Sequence, residues 1–348
     1  MSVGVTSLPD IRTDRSRIHF YSHEWPLVTG FDILGHAGDE IAKFPHIRKA
    51  TIVCDTASRR LFLPTLAESL ARHNIEVFES GAADIILFMG GQKTMQAAHQ
   101  FAARGPSLHY ALLPTTLMAQ IDGAVGPPPE MPNLLASWVP PLFSLCDIAL
   151  LSTLEKRHFR SNYAHAARLA LAGDEELFSW LEWWGNKAVN GEIAARLVII
   201  RKCCDLRQRL VSISPDNDFA APLSWLGEPF ARAVMKAGDF TGTLTPGEAL
   251  ALGIRMAFGI SVRLGYCPIE DAVRMRKHLQ IAGFQTGLRK SPANHALHAA
   301  EVMGEMRLTG GGVPPEGLVL ARGIGKAFLS REIEVEDMAA VIDKVLSE

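Results

Sequence analysis

The sequence predicts an α/β amino-terminal domain, Rossmann-like with a parallel sheet, followed by a mainly α-helical carboxyl-terminal domain. Two observations lead to this prediction. Up to about residue 153, short apolar runs alternate with segments of helical periodicity, and from Leu154 onwards long helical patterns dominate. We therefore place a first domain at residues 1–153 and a second domain at residues 154–348.

The predicted strands of the first domain are short apolar runs that end in polar or turn-forming residues. They cover residues 51–55, 75–78, 84–89, 109–113 and 142–151. Helical periodicity covers residues 61–72 and 94–104, and the polar residues 1–16 are expected to be loosely ordered. Because strands alternate with helices, the sheet is predicted to be mostly parallel, with helices on its faces.

The predicted helices of the second domain follow one another with few interruptions. They cover residues 163–172, 175–184, 188–211, 225–236, 246–264, 271–282 and 294–306, with a final helix from Val335. A Gly/Pro-rich loop at 310–317 leads into a short predicted strand at 318–321.

Composition limits the classes of partner. With 348 residues and 48% apolar content the chain is long enough for two sizeable cores, and its net charge is −2. Interspersed charges of both signs create no field that would attract nucleic acid or a membrane surface. Small anionic ligands remain compatible with the sequence, because arginines can cluster locally.

The five cysteines lack C-x-x-C spacing and lie mostly in apolar runs, which is typical of reduced thiols in the core of a cytoplasmic protein. The first residues show no apolar signal core, and no apolar run of about eighteen residues occurs. We therefore expect a cytoplasmic protein.

Turns at the ends of predicted strands supply the first candidate site. Gly90 and Gly91 follow one strand and open a helix, a pattern that suits the approach of a phosphate to main-chain N–H groups but also serves simply as a turn. Thr115 and Thr116 follow the next strand and have the same two interpretations, phosphate contact or helix capping. Asp122, in the apolar stretch that follows, is either an acceptor for a substrate or ribose hydroxyl or a buried structural acid.

The order of motifs along the chain resembles the 3-dehydroquinate synthase (sugar-phosphate cyclase) family over roughly residues 50–330. The matching segments are PTTLMAQIDGAVG, NLLASW, CDIALLSTLEKR, YAHAARLAL, LFSWLE, RKCCDLRQRLV, LGEPFARA and LTPGEALALGIRMA. The resemblance implies an NAD-binding α/β domain, a metal-carrying helical domain and an active site between them. It also implies a homodimer, since members of the family are commonly dimers.

The resemblance assigns nucleotide or substrate contacts to residues that this chain keeps. The cofactor-binding candidates are Asp55, Gly90, Gly91, Thr115, Thr116, Asn133 and Thr153, and Asp122 is assigned to the catalytic site. The third glycine of the family's G-G-G turn is Gln92 here, and the segment between Glu79 and Asp84 is much shorter than in the family.

The residues that carry the family's chemistry are largely replaced. The three metal-ligand positions of the family hold His165, Glu228 and Pro246, with Glu248 retained close to the third. The family's G-G-K-T loop, whose lysine meets substrate, reads Gly126 followed by Pro127, Pro128 and Pro129. Proline offers no proton, charge or metal lone pair, so two of the family's functions are missing at these positions.

Four arginines occupy positions of cationic or polar contacts in the family and would converge on one crevice if the fold matches. They are Arg168, Arg207, Arg232 and Arg307. A guanidinium remains charged and binds carboxylate or phosphate in a fork, so the set favours an anionic small-molecule substrate.

Three functions stay open at this point. The favoured one is metal-independent acid/base chemistry, an elimination or intramolecular cyclisation in a specialised biosynthetic pathway, with His165 and Glu228 as a proton-transferring pair. The alternative interpretation of the same pair is a hydrogen bond with a structural role. The second function is an NAD- and metal-dependent cyclase whose metal site is rebuilt from His165, Glu228 and Glu248, and the third is a non-catalytic scaffold. NAD binding stays open, and no divalent metal is expected in the family geometry.

Overall fold

The computed structural model describes residues 13–20, 23–78, 83–105, 108–127, 138–212, 225–238, 244–285, 287–288, 297–306, 314 and 317–348. It divides the chain into two compact units. The first unit comprises Met1–Glu155 and Asn190–Ser212, and the second comprises Lys156–Val189 and Ile213–Glu348. The first unit thus includes a long helix from the part of the sequence predicted as the helical domain, residues 154–348.

The first unit is built on a seven-stranded sheet with the order β1-β2-β7-β6-β5-β3-β4. The strands are β1 Asp14–Phe20, β2 His23–Gly30, β3 Lys49–Cys54, β4 Glu76–Phe78, β5 Ile85–Gly90, β6 His109–Pro114 and β7 Ser144–Asp147. Only β1 pairs antiparallel, with β2, and all other pairs in this sheet are parallel. The predicted parallel sheet is therefore confirmed.

Helices cover this sheet. They are α1 Ala37–Ile41, α2 Thr56–Ala71, α3 Gln92–Ala102 and α6 Ile193–Ser212, with single turns at Leu34–His36, Ala119–Gly123 and Ile148–Thr153. An apolar core that includes Ile41, Leu66, Leu87 and Leu113 packs with almost no solvent exposure. Burial of such side chains is the main favourable free energy of this unit.

Two predicted elements of the first unit are wrong in extent. The strand predicted at 142–151 ends at Asp147, because the Asp147 carboxylate accepts the N–H of Ala149 at 2.8 Å and so caps a short 3-10 helix. The same carboxylate accepts the N–H groups of Asp32 and Leu34, both at 2.8 Å. In addition, residues 14–16 belong to strand β1 and are not loosely ordered.

The strand order sets the position of the candidate nucleotide site. The chain leaves β3 towards β4 at one edge of the sheet and continues from β5 towards β6 and β7 in the opposite direction. In open α/β sheets, ligands bind at the carboxyl ends of the strands where the order reverses in this way. In this sheet the reversal lies between β3, which Asp55 follows, and β5, which Gly91 follows.

The second unit is mainly helical. Its helices are α4 Lys156–Gly173, α5 Glu175–Val189, α7 Glu228–Ala237, α8 Pro246–Arg263, α9 Ile269–Ile281, α10 Ala299–Met306 and α11 Val335–Ser347. A small antiparallel hairpin pairs β8 Leu318–Ala321 with β9 Ala327–Ser330, and the sequence pattern predicts only the first of these strands. No helix in the described ranges is long and apolar enough to cross a membrane.

Helices α4 and α8 approach each other closely at a glycine. The N–H of Gly247, in the first turn of α8, donates to Ser161 Oγ of α4 at 3.0 Å. A Cβ atom at Gly247 would overlap the main-chain carbonyl of Ser161. Glycine at 247 therefore allows a spacing of α4 and α8 that no larger residue permits.

We predict that Gly247→Ala lowers the free energy of unfolding by about 2 kcal/mol or more, because main-chain atoms of two helices must separate. Gly304 in α10 is the matched control, since nothing lies within 4 Å of a Cβ built there. Gly304→Ala should raise the free energy of unfolding by about 0.5–1 kcal/mol. Urea denaturation of the full chain measures both, and equal effects of the two substitutions would contradict the prediction.

Candidate functional site

The end of β3 is tied to the end of β5 by one carboxylate. Asp55 Oδ1 accepts the N–H of Ser58 at 2.8 Å and so caps helix α2, while Oδ2 accepts the N–H of Gly91 at 3.2 Å. The cofactor-binding candidates Asp55 and Gly91 are thus in contact where the strand order reverses. A carboxylate at this edge is the group that commonly binds ribose hydroxyls in dinucleotide-binding folds.

Gly90 is required by crowding at the same edge. A Cβ there would lie 2.6 Å from Asp55 Oδ2 and would overlap Thr94 Oγ1. At Gly91 a Cβ would make an ordinary contact, 3.4 Å from Thr116 Cγ2. The Gly-Gly turn therefore serves close packing at its first residue, and its second residue is the N-cap of helix α3.

The three candidate threonines have local hydrogen-bond partners. Thr115 is buried, with Oγ1 3.2 Å from Ser58 Oγ. Thr116 Oγ1 accepts the N–H of Ala119 at 3.3 Å, as expected for helix capping, and Thr153 Oγ1 donates to the Leu150 carbonyl at 2.7 Å. Thr115 and Thr116 follow β6 at the edge that holds Asp55 and Gly91, whereas Thr153 closes the short helix after β7.

Asp122 forms a short ion pair with Arg207. Arg207 Nε lies 2.6 Å from Asp122 Oδ1, and the arginine side chain is 2% exposed. Arg207 Nη2 donates to the Pro127 carbonyl at 3.2 Å, so the guanidinium also holds the start of the proline segment. Asp122 lies in a π-helical turn, Ala119–Gly123, a distortion that often occurs at functional sites.

Two buried polar residues that hold the main chain around Asp122 do not appear in the sequence-based candidate set. His99 in α3 is fully buried and its Nε2 lies 2.8 Å from the Gly123 carbonyl. Burial lowers the pKa of His99 to about 4, although the hydrogen bond to Gly123 opposes this shift. Gln120 is also buried and donates to the carbonyls of Pro114 and Asp147 at 3.2 and 2.8 Å. Polar residues within apolar segments are the only sequence signal for them.

In the second unit, Glu228 is paired with two arginines. Arg168 Nη1 on α4 lies 3.2 Å from Glu228 Oε2, and Arg232 Nε, one turn further along α7, lies 3.6 Å from Oε1. Arg168 is buried, and its Nε has no hydrogen-bond acceptor in the part of the chain that the structure describes. We refer to Arg168, Glu228 and Arg232 as the Glu228 cluster.

The Glu228 cluster corrects the predicted pairing of His165 with Glu228. His165 is buried on α4, three residues before Arg168, but the carboxylate of Glu228 is shared by the two guanidiniums. The physical reason is charge: a buried guanidinium needs a carboxylate more than a neutral imidazole does.

Glu248 has a structural role at the start of α8. Its carboxylate closes a capping box with Thr245 and accepts two hydrogen bonds from Arg157, at 3.0 and 2.8 Å. Arg160 lies 3.7 Å away. Burial opposes ionisation of Glu248, but the hydrogen bonds from Arg157 and Thr245 outweigh it and lower the pKa to about 2.

A cavity of about 300 Å³ opens beside the Glu228 cluster. Its walls include Glu228, Arg232 and Lys236 from α7 and Pro246 from α8. Lys236 also pairs with Glu305. Arginine and lysine on one wall suit a small anionic ligand.

The structure brings together only part of the predicted site. Arg168 and Arg232 share Glu228, and Asp122 pairs with Arg207, which belongs to the first unit. Asn133 and Arg307 lie outside the described residues. The convergence of four arginines on one crevice therefore stays a prediction.

The donor set does not fit the divalent metal that the resemblance implies. Pro246 has no donor atom, and the carboxylate of Glu228 is already occupied by Arg168 and Arg232. The carboxylate of Glu248 is likewise occupied, because it pairs with Arg157 and closes the capping box of α8. In the described ranges, no three His, Cys, Asp or Glu side chains are grouped so that they could hold a metal ion.

An α/β unit with polar groups at the carboxyl ends of its strands and a helical unit with a charged cavity agree with the fold class that the sequence predicts. Residues 162–306 match the model of the 3-dehydroquinate synthase C-terminal family. The chain is thus similar to the 3-dehydroquinate synthase-like (sugar-phosphate cyclase) superfamily, in agreement with the order of its motifs.

Relatives in sequence and in structure agree with this similarity. The 3-dehydroquinate synthase of Ruegeria pomeroyi is 28% identical over 91% of this chain and 95% of its own length. A 2-deoxy-scyllo-inosose synthase complexed with carbaglucose-6-phosphate, NAD+ and Co2+ superposes with a TM-score of 0.77 at 17% identity, covering 96% of this chain and 100% of the other. The 2-epi-5-epi-valiolone synthase of Streptomyces hygroscopicus, with NAD+ and Zn2+, gives 0.71 at 19% identity, covering 98% and 99%.

These relatives confirm the fold class and the enzyme class, a lyase or cyclase of this superfamily, predicted from the sequence. Both related structures contain NAD+, which agrees with NAD as a candidate cofactor. They do not support the expectation that a divalent metal is absent, because both related structures contain a metal ion. The mismatch of the donor set in this chain is a separate observation about its own residues.

We predict that Arg207→Met lowers the free energy of unfolding by about 3 kcal/mol, because it leaves the largely buried Asp122 without its guanidinium. Arg201→Met on the same helix is the matched control. Arg201 pairs with Asp14, which is 44% exposed, so this change should cost less than about 1 kcal/mol. Urea denaturation compares the two, and an equal loss would mean that the buried pair contributes no more than a surface pair.

We predict that Glu248→Gln makes stability less dependent on pH in the acid range. The folded-state pKa of about 2 lies below the ordinary value of 4.5, so the carboxylate stabilises the fold above about pH 4.5 and this contribution is lost as the pH falls towards 2. The variant should therefore be less stable than the parent chain at about pH 7, and the difference should shrink by about pH 3. Urea midpoints at the two pH values measure the effect, and a difference that does not change with pH would contradict the prediction.

Proposed function

We propose that the chain is a sugar-phosphate cyclase-like enzyme that performs acid/base chemistry, an elimination or an intramolecular cyclisation, on an anionic small molecule. The observation that carries the proposal is the Glu228 cluster beside its cavity. Two guanidiniums surround one carboxylate there, and Lys236 adds a further cation to the wall. A ligand that brings negative charge would complete this balance.

Substrate binding is assigned to Arg232 of the cavity wall and to Arg168, which does not line the cavity but pairs with Glu228 of its wall. Arg232 is half exposed, so its guanidinium is accessible to a ligand. The buried Nε–H of Arg168 has no acceptor among the described residues and is a suitable donor to a ligand oxygen. Both contacts would hold and orient a phosphate or carboxylate.

Proton transfer is assigned to His165. Histidine is the side chain type that most readily exchanges protons near neutral pH, and His165 lies one helical turn from Arg168. Because Arg168 pairs with the carboxylate of Glu228, we assign acid/base chemistry on this part of α4 to the imidazole of His165. Arginine is a poor proton donor by comparison.

NAD fits the strand edge of the first unit. Asp55 and Gly91 stand where the strand order reverses, the position at which α/β sheets hold nucleotides. Thr116 follows the neighbouring strand β6, and helix α3 begins at the same edge. NAD, when bound, supplies a hydride acceptor. The residues of the chain contribute binding and orientation there.

A second function is an NAD- and metal-dependent cyclase. The metal ions in the two related synthase structures favour it. This function requires a donor set other than the one that the resemblance implies, because Pro246 has no donor atom. The two functions differ in their response to a chelator.

The test is turnover of a panel of six- and seven-carbon sugar phosphates with NAD+, followed by phosphate release and by mass spectrometry of the product. With metal-independent chemistry, we expect turnover to persist after dialysis against EDTA and to be lost in His165→Ala. Loss of turnover with EDTA and recovery with added Zn2+ or Co2+ would establish the second function instead.

Arg232→Met should raise the KM about tenfold through the loss of one charged contact with the substrate, with a smaller effect on kcat. Arg263→Met is the matched control. Arg263 belongs to the neighbouring helix α8 but pairs with Asp337 and does not line the cavity. Steady-state kinetics compare the two variants, and an equal KM in both would remove Arg232 from the binding site.

A further inference from the structure

A guanidinium in the helical unit stands among the positions to which the resemblance assigns metal ligands. Arg168 Nη1 is 3.2 Å from the carboxylate of Glu228, and the Arg168 side chain is only 7% exposed. His165 precedes Arg168 by one turn of α4, so the two side chains lie on neighbouring parts of one helix surface. A cation is thus fixed beside two of the three positions.

The third position belongs to the same small region. Pro246 and Glu228 line one cavity. Gly247, next to Pro246, donates its N–H to Ser161, and Ser161 lies one turn before His165 on α4. The close approach of α4 and α8 therefore places residue 246 near the helix surface that carries His165 and Arg168.

We propose that the Arg168 guanidinium is the resident cation of this site and takes the place of the divalent metal. The inference rests on the proposed metal-independent function. One carboxylate faces two guanidiniums here, so a divalent ion would meet like charge at short distance and would have to displace Arg168 from Glu228. A buried guanidinium without its carboxylate is costly, so displacement is unfavourable.

Two features exclude a metal ion from this site. They are the guanidinium of Arg168 and the absence of a donor side chain at Pro246. Both have to be reversed before an ion can bind. Arg168→Ala frees Glu228 from its buried partner, and Pro246→His supplies a third ligand. The result is a His-Glu-His set, which is a common set for catalytic zinc.

The experiment is a Co2+ titration of the full chain, followed by visible absorption and equilibrium dialysis. We expect the wild-type chain and both single variants to bind no stoichiometric Co2+ at this site. We expect the double variant, Arg168→Ala with Pro246→His, to bind one Co2+ per chain with a Kd of about 10 µM or lower. The visible absorption of the bound Co2+ should be intense, as is typical of an ion with few ligands. The single variants are the controls, because each reverses only one of the two features.

Three results would overturn the inference. One is a wild-type chain that binds one Co2+ and loses it in Glu228→Gln. Another is a folded double variant that binds no Co2+, which would mean that the three positions do not surround the guanidinium. The last is binding by Pro246→His alone with unchanged affinity, which would mean that Arg168 does not exclude the ion.

If circular dichroism shows that the double variant does not fold, the comparison of the wild-type chain with Glu228→Gln still decides the outcome. Absence of stoichiometric Co2+ in both supports the inference, and binding that depends on Glu228 overturns it. Turnover is measured separately. A wild-type chain that takes up no Co2+ and converts no sugar phosphate would overturn the proposed function and leave the assignment of Arg168 standing.

Discussion

Buried guanidiniums and the carboxylates that neutralise them organise the candidate site in both units. Arg207 is 2% exposed and holds Asp122, and Arg168 is 7% exposed and holds Glu228. Burying a charged group costs free energy unless a partner of opposite charge lies within hydrogen-bonding distance. Each buried arginine therefore determines where its carboxylate must lie. The acids that a sugar-phosphate cyclase would direct towards substrate or metal are thereby drawn into internal ion pairs.

This constraint has different consequences in the two units. In the first unit the Asp122–Arg207 pair also reaches the Pro127 carbonyl, so it holds the start of the segment that replaces the family's lysine loop. At the carboxyl edge of the same sheet, Asp55 joins the ends of β3 and β5. In the second unit, Arg168 and Arg232 occupy a carboxylate at a position to which the resemblance assigns a metal ligand. The scaffold of the superfamily is thus combined with a different distribution of charge.

Much of the fold could be predicted because it depends on local patterns. Short apolar runs predicted β3, β5 and β6, and helical periodicity predicted α8 to within one residue at each end. The β1–β2 hairpin was not predicted. The predicted strand at 142–151 proved too long, because Asp147 caps the turn at Ala149 with a carboxylate that is held by the N–H groups of Asp32 and Leu34, more than a hundred residues away. Residues that are distant in the sequence but meet in space leave little local signal.

The sequence alone indicated the resemblance to the superfamily, the residue types at the corresponding positions and the absence of a donor side chain at Pro246, since these follow from the order and chemistry of the residues. Tertiary structure decided which groups pair. Glu228 binds Arg168 and Arg232, although the sequence-based prediction pairs it with His165, and Glu248 caps α8. The physical reason is that pairing energies depend on distance and burial, and both are set only when helices from separate parts of the chain pack together.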